Sequence, residues 1–116
     1  MSYDQRLAER IRGALSGRRG VVEKEMFGGL AFLLGGRMFC GIVKDDLMVR
    51  VGPDRHEEAL GKPHVRPMDF AGRPMKGYVY VAPAGCKASA ALGMWVRWGA
   101  DTVAAMPAKK ASSKKP

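Results

Sequence analysis

Leu30-Ala31-Phe32-Leu33-Leu34-Gly35-Gly36-Arg37-Met38-Phe39-Cys40-Gly41-Ile42-Val43-Lys44-Asp45-Asp46-Leu47-Met48-Val49-Arg50-Val51 is the stretch that decides the fold. Short apolar runs are separated by Gly35-Gly36 and by Asp45-Asp46. Glycine accepts the positive φ of the primed turns that suit twisted strands, so Gly35-Gly36 predicts a two-residue hairpin. Asp45-Asp46 predicts the next. Two-residue loops fix the register: Leu33 opposite Met38 and Phe32 opposite Phe39, then Ile42 opposite Val49 and Val43 opposite Met48. One sheet face then carries Ala31, Leu33, Met38, Cys40, Ile42, Leu47, Val49 and Val51, the cleaner core face. The other carries Leu30, Phe32, Leu34, Arg37, Phe39, Val43, Met48 and Arg50. An uncovered apolar face implies something that covers it. Leu30, Phe32, Leu34, Arg37, Phe39, Met48 and Arg50 are therefore the candidate partner surface, for a second copy or another protein.

Upstream, Ser2 and Gln5 have capping-box spacing, and Tyr3, Leu7, Ile11, Ala14 and Leu15 recur at helical intervals. An amphipathic helix is expected over residues 2–16, ended by Gly17. A short strand over residues 22–26 leads into a bend at Phe27-Gly28-Gly29. Downstream, Gly52-Pro53-Asp54 opens a short helix with Glu57 and Glu58 near its positive end. Gly61-Lys62-Pro63 stops it. Strands are expected over residues 65–70 and 77–81, and a long helix over residues 87–106, where Ala88, Leu92, Trp95, Gly99, Val103 and Met106 share a stripe. The order α-β-β-β-β-α-β-β-α predicts a two-layer α+β fold, an antiparallel sheet with helices packed on one face.

A chain of 116 residues is one domain. Residues 1–106 form it on this reading, and the Lys-, Ser- and Pro-rich residues 107–116 are a disordered tail. The polar start and the absence of any uncharged run longer than residues 26–36 argue against a signal peptide and a membrane span. A cytoplasmic protein without membrane contact is expected. The net charge is +9, of which the tail lysines carry +4. That balance favours acidic partners, including weak, mostly nonspecific nucleic-acid binding.

Residues able to do chemistry are sparse. Cys40 and Cys86 form no disulfide framework, and with His56 and His64 they lack any close metal-ligand spacing, so no cofactor or metal is expected. Cys40 reads as core. Cys86 lies ahead of a helix beside Lys87, two features that lower a thiol's pKa, but a plain structural role is the simpler reading. His56 reads as solvated, and Asp69 has no paired carboxylate. Trp95 reads as core and Trp98 as partly exposed. Tyr78 and Tyr80 share a strand face, where cross-strand packing competes with base stacking. The chain is not read as an enzyme.

Met26-Phe27-Gly28-Gly29, the spaced Phe39 and Leu47, Pro67-Met68-Asp69-Phe70, Pro74-Met75-Lys76-Gly77-Tyr78 and the tryptophan-bearing last helix together resemble the TfoX N-terminal domain family, of TfoX/Sxy-type competence regulators. The resemblance runs over about residues 3–107 and implies a two-layer α/β domain of the secretion-chaperone-like type. Full-length regulators of this type promote competence-gene transcription with the cyclic-AMP receptor protein and carry a helical C-terminal domain. Here the lysine tail stands where that domain would begin, so the chain looks like a stand-alone N-terminal module. The resemblance transfers no catalytic or ligand residue. It implies a regulatory or adaptor module acting through protein contacts, with a transcription factor or a second copy as partner.

Overall fold

The computed structural model describes residues 3–26, 28–70 and 73–106. Gly35 and Gly36 both take positive φ, 62° and 81°, and close a two-residue turn between Leu34 and Arg37. The flanking strands are β2 (Gly29–Leu34) and β3 (Arg37–Val43), with β1 (Val21–Met26) before them and β4 (Asp46–Arg50) after. Leu33 faces Met38 as the turn dictates. Beyond that pair the register slips, and Phe32 faces Cys40 with Phe39 left unpaired in a bulge. The expectation that Phe32 and Phe39 face each other, apart from Cys40, is overturned. One extra residue moves everything on β2 to the opposite face relative to the rest of β3.

The second hairpin turns at Lys44-Asp45, one residue earlier than expected, with Lys44 at φ 58° and Val43 opposite Asp46. Pairing moves by two residues, so Ile42 faces Leu47 and Cys40 faces Val49. An even shift keeps each side chain on its expected face. Ile42, Leu47, Val49 and Val51 are therefore core as read, whereas Leu30 and Phe32 replace Ala31 and Leu33.

The chain continues through a 3-10 turn (Pro53–Arg55), α2 (His56–Leu60), β5 (Val65–Phe70), β6 (Arg73–Val81) and a second 3-10 turn (Pro83–Cys86) to α3 (Ser89–Ala104). All six strands join one antiparallel sheet in the order β1-β2-β3-β4-β6-β5. The helices pack on one face of it, the α+β arrangement that the sequence predicts. β6 begins at Arg73 rather than at residue 77, so Pro74 and Met75 lie within it. The proposed Ser2 cap, Phe27 of the bend, Ala71-Gly72 and residues 107–116 lie outside the described residues. The first helix, α1 (Gln5–Ala14), is capped by Asp4, whose carboxylate accepts from the Arg6 and Leu7 backbone N–H groups.

The core lies between the sheet and α1 and α3. Leu7, Ala8 and Ile11 enter it from α1, and Leu92, Trp95, Val96 and Val103 from α3. Trp95 and Trp98 stack at 5.2 Å with planes 5° apart. Trp98 is buried rather than partly exposed: its indole N–H donates to the Val51 carbonyl at 3.2 Å, and the Arg55 guanidinium covers its ring at 3.9 Å. Ionic contacts tie α1 down at its rim. Arg12 binds Glu23 of β1 through two nitrogens at 2.7 and 2.8 Å, and those hydrogen bonds hold the Glu23 carboxyl below its usual range. Arg10 donates to the Cys86 and Lys87 carbonyls at 2.9 and 2.8 Å, just ahead of α3.

The closest approach between layers is at Gly99. A Cβ there would run into the Phe39 carbonyl oxygen and come within 3.4 Å of the Phe39 ring, so α3 rests on the backbone of the bulge itself. A Cβ at Gly93 on the same helix meets only the mobile end of Arg97, at 3.1 Å. Urea denaturation should separate the two sites. Gly99→Ala should cost about 2–3 kcal/mol by overpacking. Gly93→Ala should be neutral or stabilising by up to about 1 kcal/mol, since alanine favours helix over glycine.

Candidate functional site

The bulge that fixes the core also composes the other side of the sheet. With Phe32, Cys40 and Val49 aligned toward the helices, the alternating partners Ala31, Gly41 and Met48 line up on the helix-free face. Tyr80 continues that row opposite Met48, and Lys24 begins it opposite Ala31. Met38 and Val43 flank it along β3.

β5 and β6 close the row into a groove. Their pairing is irregular between Pro67 and Asp69, and Gly77 on the facing strand has φ 93°. The break is held at Gly77. Its carbonyl accepts from the Val51 and Gly52 N–H groups at 2.7 and 3.0 Å, and its own N–H donates to His56 Nδ1. His56, read from the sequence as solvated, is in fact the buried acceptor that ties α2 to β6. β5 stands three strand positions from β3, about 14 Å at the usual spacing. Yet Met68 and Met75 line the same groove as Met38 and Gly41 of β3, so the β5–β6 arm curls over the open face. The groove measures about 320 Å³ and is lined almost wholly by apolar groups, four of them methionines. Met48 and Met68 are buried, Met38 and Met75 half-buried. The floor cannot be raised, because a Cβ at Gly41 would stand 2.7 Å from the Leu30 carbonyl oxygen.

The surface named from the sequence is split by the bulge. Met48 and Arg50 are on the helix-free face; Leu30, Phe32 and Phe39 belong to the core, with Leu34 packed against it. Leu30 also reaches the groove wall. Arg37 pairs with Leu34 at the hairpin end and takes no part in the groove. Met38, Gly41, Met68, Met75 and Tyr80 were missed as site residues. The alternation of Tyr78 and Tyr80 was the legible signal, since both rings lie on this face. Arginines cover them: Arg50 lies 5.4 Å from the Tyr78 centroid and Arg66 4.7 Å from that of Tyr80. Arg66 also binds Asp46 at 2.6 Å.

The remaining polar candidates do not converge. Among the described residues no group of three or more His, Cys, Asp or Glu is placed to hold a metal ion. Both cysteines are free and buried, and burial pushes both thiols up, against the activation that Lys87 and the following helix suggested for Cys86. A second concavity, between α2 and α3, is lined by Arg55, Glu58, Lys62, Arg97 and Asp101 over Trp98. Its charges are mixed, with Arg55 paired to Glu58 and Asp101 to Arg18.

These features define a small α+β domain with an apolar groove on the open face of its sheet. The TfoX N-terminal domain model matches residues 14–103, most of the chain. The protein belongs to the TfoX N-terminal domain family, which is associated with competence and regulation. No match is found among curated proteins or among solved structures. Among the described residues no helix is long and apolar enough to cross a membrane.

The raised thiols give a pH-dependent outcome. Unfolding exposes two groups with ordinary pKa values of about 8.5, while the fold retains both protons. Their contribution is complete below that pH and is lost as pH rises above it. Between about pH 8.5 and 10, stability should therefore fall more steeply for this chain than for a Cys40→Ala/Cys86→Ala chain, as measured by urea melts. At pH 8, a thiol reagent should label neither cysteine until the protein is unfolded.

Proposed function

We propose that the protein is a non-enzymatic regulatory or adaptor module of the cytoplasm, acting on competence or transcription control through protein contacts. The observation that carries this reading is the methionine-lined groove on the helix-free face. It is apolar and shaped like a docking site, and among the described residues that line it Tyr80 is the one titratable group. Methionine suits such a surface, since its unbranched, polarisable chain repacks around different apolar partners. Family membership supports the regulatory setting. The partner on this reading is another protein, a transcription factor being the natural kind.

The +9 charge favours a second reading, direct and mostly nonspecific nucleic-acid binding. Against it, the Tyr78 and Tyr80 rings are already covered by arginines, and Arg12, Arg18, Arg55 and Arg66 are engaged with carboxylates. A duplex-DNA titration over a range of salt, for the full chain and for one ending at Met106, separates the two. The expected result is weak binding that is lost near physiological salt of about 0.15 M. Losing the four tail lysines should flatten the log–log salt slope by about 3–4. Sequence-specific binding that survives both physiological salt and loss of the tail would overturn the protein-contact reading.

A further inference from the structure

The groove's flanks narrow the choice of partner. Lys24 lies opposite Ala31 on one side of the groove floor, and Arg50 lies two residues beyond Met48 on the other. Among the described residues neither is held in an ion pair, Arg50 resting only against the Tyr78 ring, whereas Asp46, a carboxylate on this face, is taken by Arg66, which also feels the charge of Asp69. β1 and β4 are three strand positions apart, about 14 Å. An α-helix with its side chains is about 10–12 Å across. An apolar cavity of about 150 Å³ accepts one benzene, so about 320 Å³ has room for two large apolar side chains.

We propose that this groove takes an acidic amphipathic helix of a partner protein, whose apolar stripe enters between Met38, Met48 and Met75 while carboxylates on its flanks meet Lys24 and Arg50. The inference rests on the protein-contact reading above and adds the partner's chemistry. A second copy fits less well, because two chains of charge +9 would bring like-charged rims together.

The probe is a fluorescein-labelled synthetic helix with leucines on one face and glutamates on both flanks, followed by anisotropy with the full chain at about 0.15 M salt. Two controls keep half of its chemistry: one has serine for every leucine, the other lysine for every glutamate. The acidic leucine helix should bind at least about tenfold more tightly than either control. Arg50→Glu and Lys24→Glu should each weaken it by about three- to tenfold, and Met75→Glu by about tenfold or more, with circular dichroism unchanged. If the lysine-flanked helix binds as well and binding stays sensitive to Met75→Glu, the acidic partner is wrong while the contact reading stands. Binding indifferent to Met75→Glu and Arg50→Glu alike would overturn both. A Met75-dependent dimer in sedimentation would also overturn the inference, since the groove would then be filled by a second copy.

Discussion

Helix α3 rests on the backbone of β3 at one point, where Gly99 meets the Phe39 carbonyl. A side chain at Gly99 would lift the helix from the sheet, and Trp95, Val96 and Val103 would lose their seats between the layers. The bulge at Phe39 is what presents that carbonyl and ring to the helix. It adds one residue to β3 and so reverses which side chains of β2 face inward. Phe32 and Leu30 go to the core, and Ala31 goes to the other side to lie opposite Gly41. The deepest part of the core and the floor of the groove are thus two consequences of one backbone irregularity.

Much of the architecture was legible because turn chemistry and periodicity are local. Gly35-Gly36 specified its hairpin, the Trp95 stripe specified α3, and the order of elements specified the layers. The bulge was not legible, since nothing in Met38-Phe39-Cys40 differs from a regular apolar strand and the helix that requires it lies sixty residues on. The misplaced second turn did little harm, because a two-residue shift preserves faces. The bulge, a one-residue shift, did all of it, and it is why four of the named surface residues moved to the core side while Met48 and Arg50 stayed. His56 was misread for a related reason. Its sequence neighbours are charged, but the group it serves, the Gly77 N–H, comes from a distant strand.

The groove follows from small residues below and methionines around. Gly41 and Ala31 leave space, the bend at Gly77 brings Met68 and Met75 over it, and His56 fixes that bend from the opposite layer. A family defined across residues 14–103 contains all of these positions, so the groove lies within the part of the chain that makes it a TfoX N-terminal domain.

The sheet is open at both ends, and its two outer strands bear on how the molecule behaves at high concentration. Unpaired backbone along an outer strand is a template for adding further chains and eventually fibres. β1 presents Glu23, Lys24 and Glu25 in succession, and a strand from another molecule would have to accommodate that sequence of charges. β5 carries Pro67, which has no N–H to donate to an incoming strand. Self-assembly by strand addition is therefore discouraged at both ends, and crowding should leave the chain dispersed.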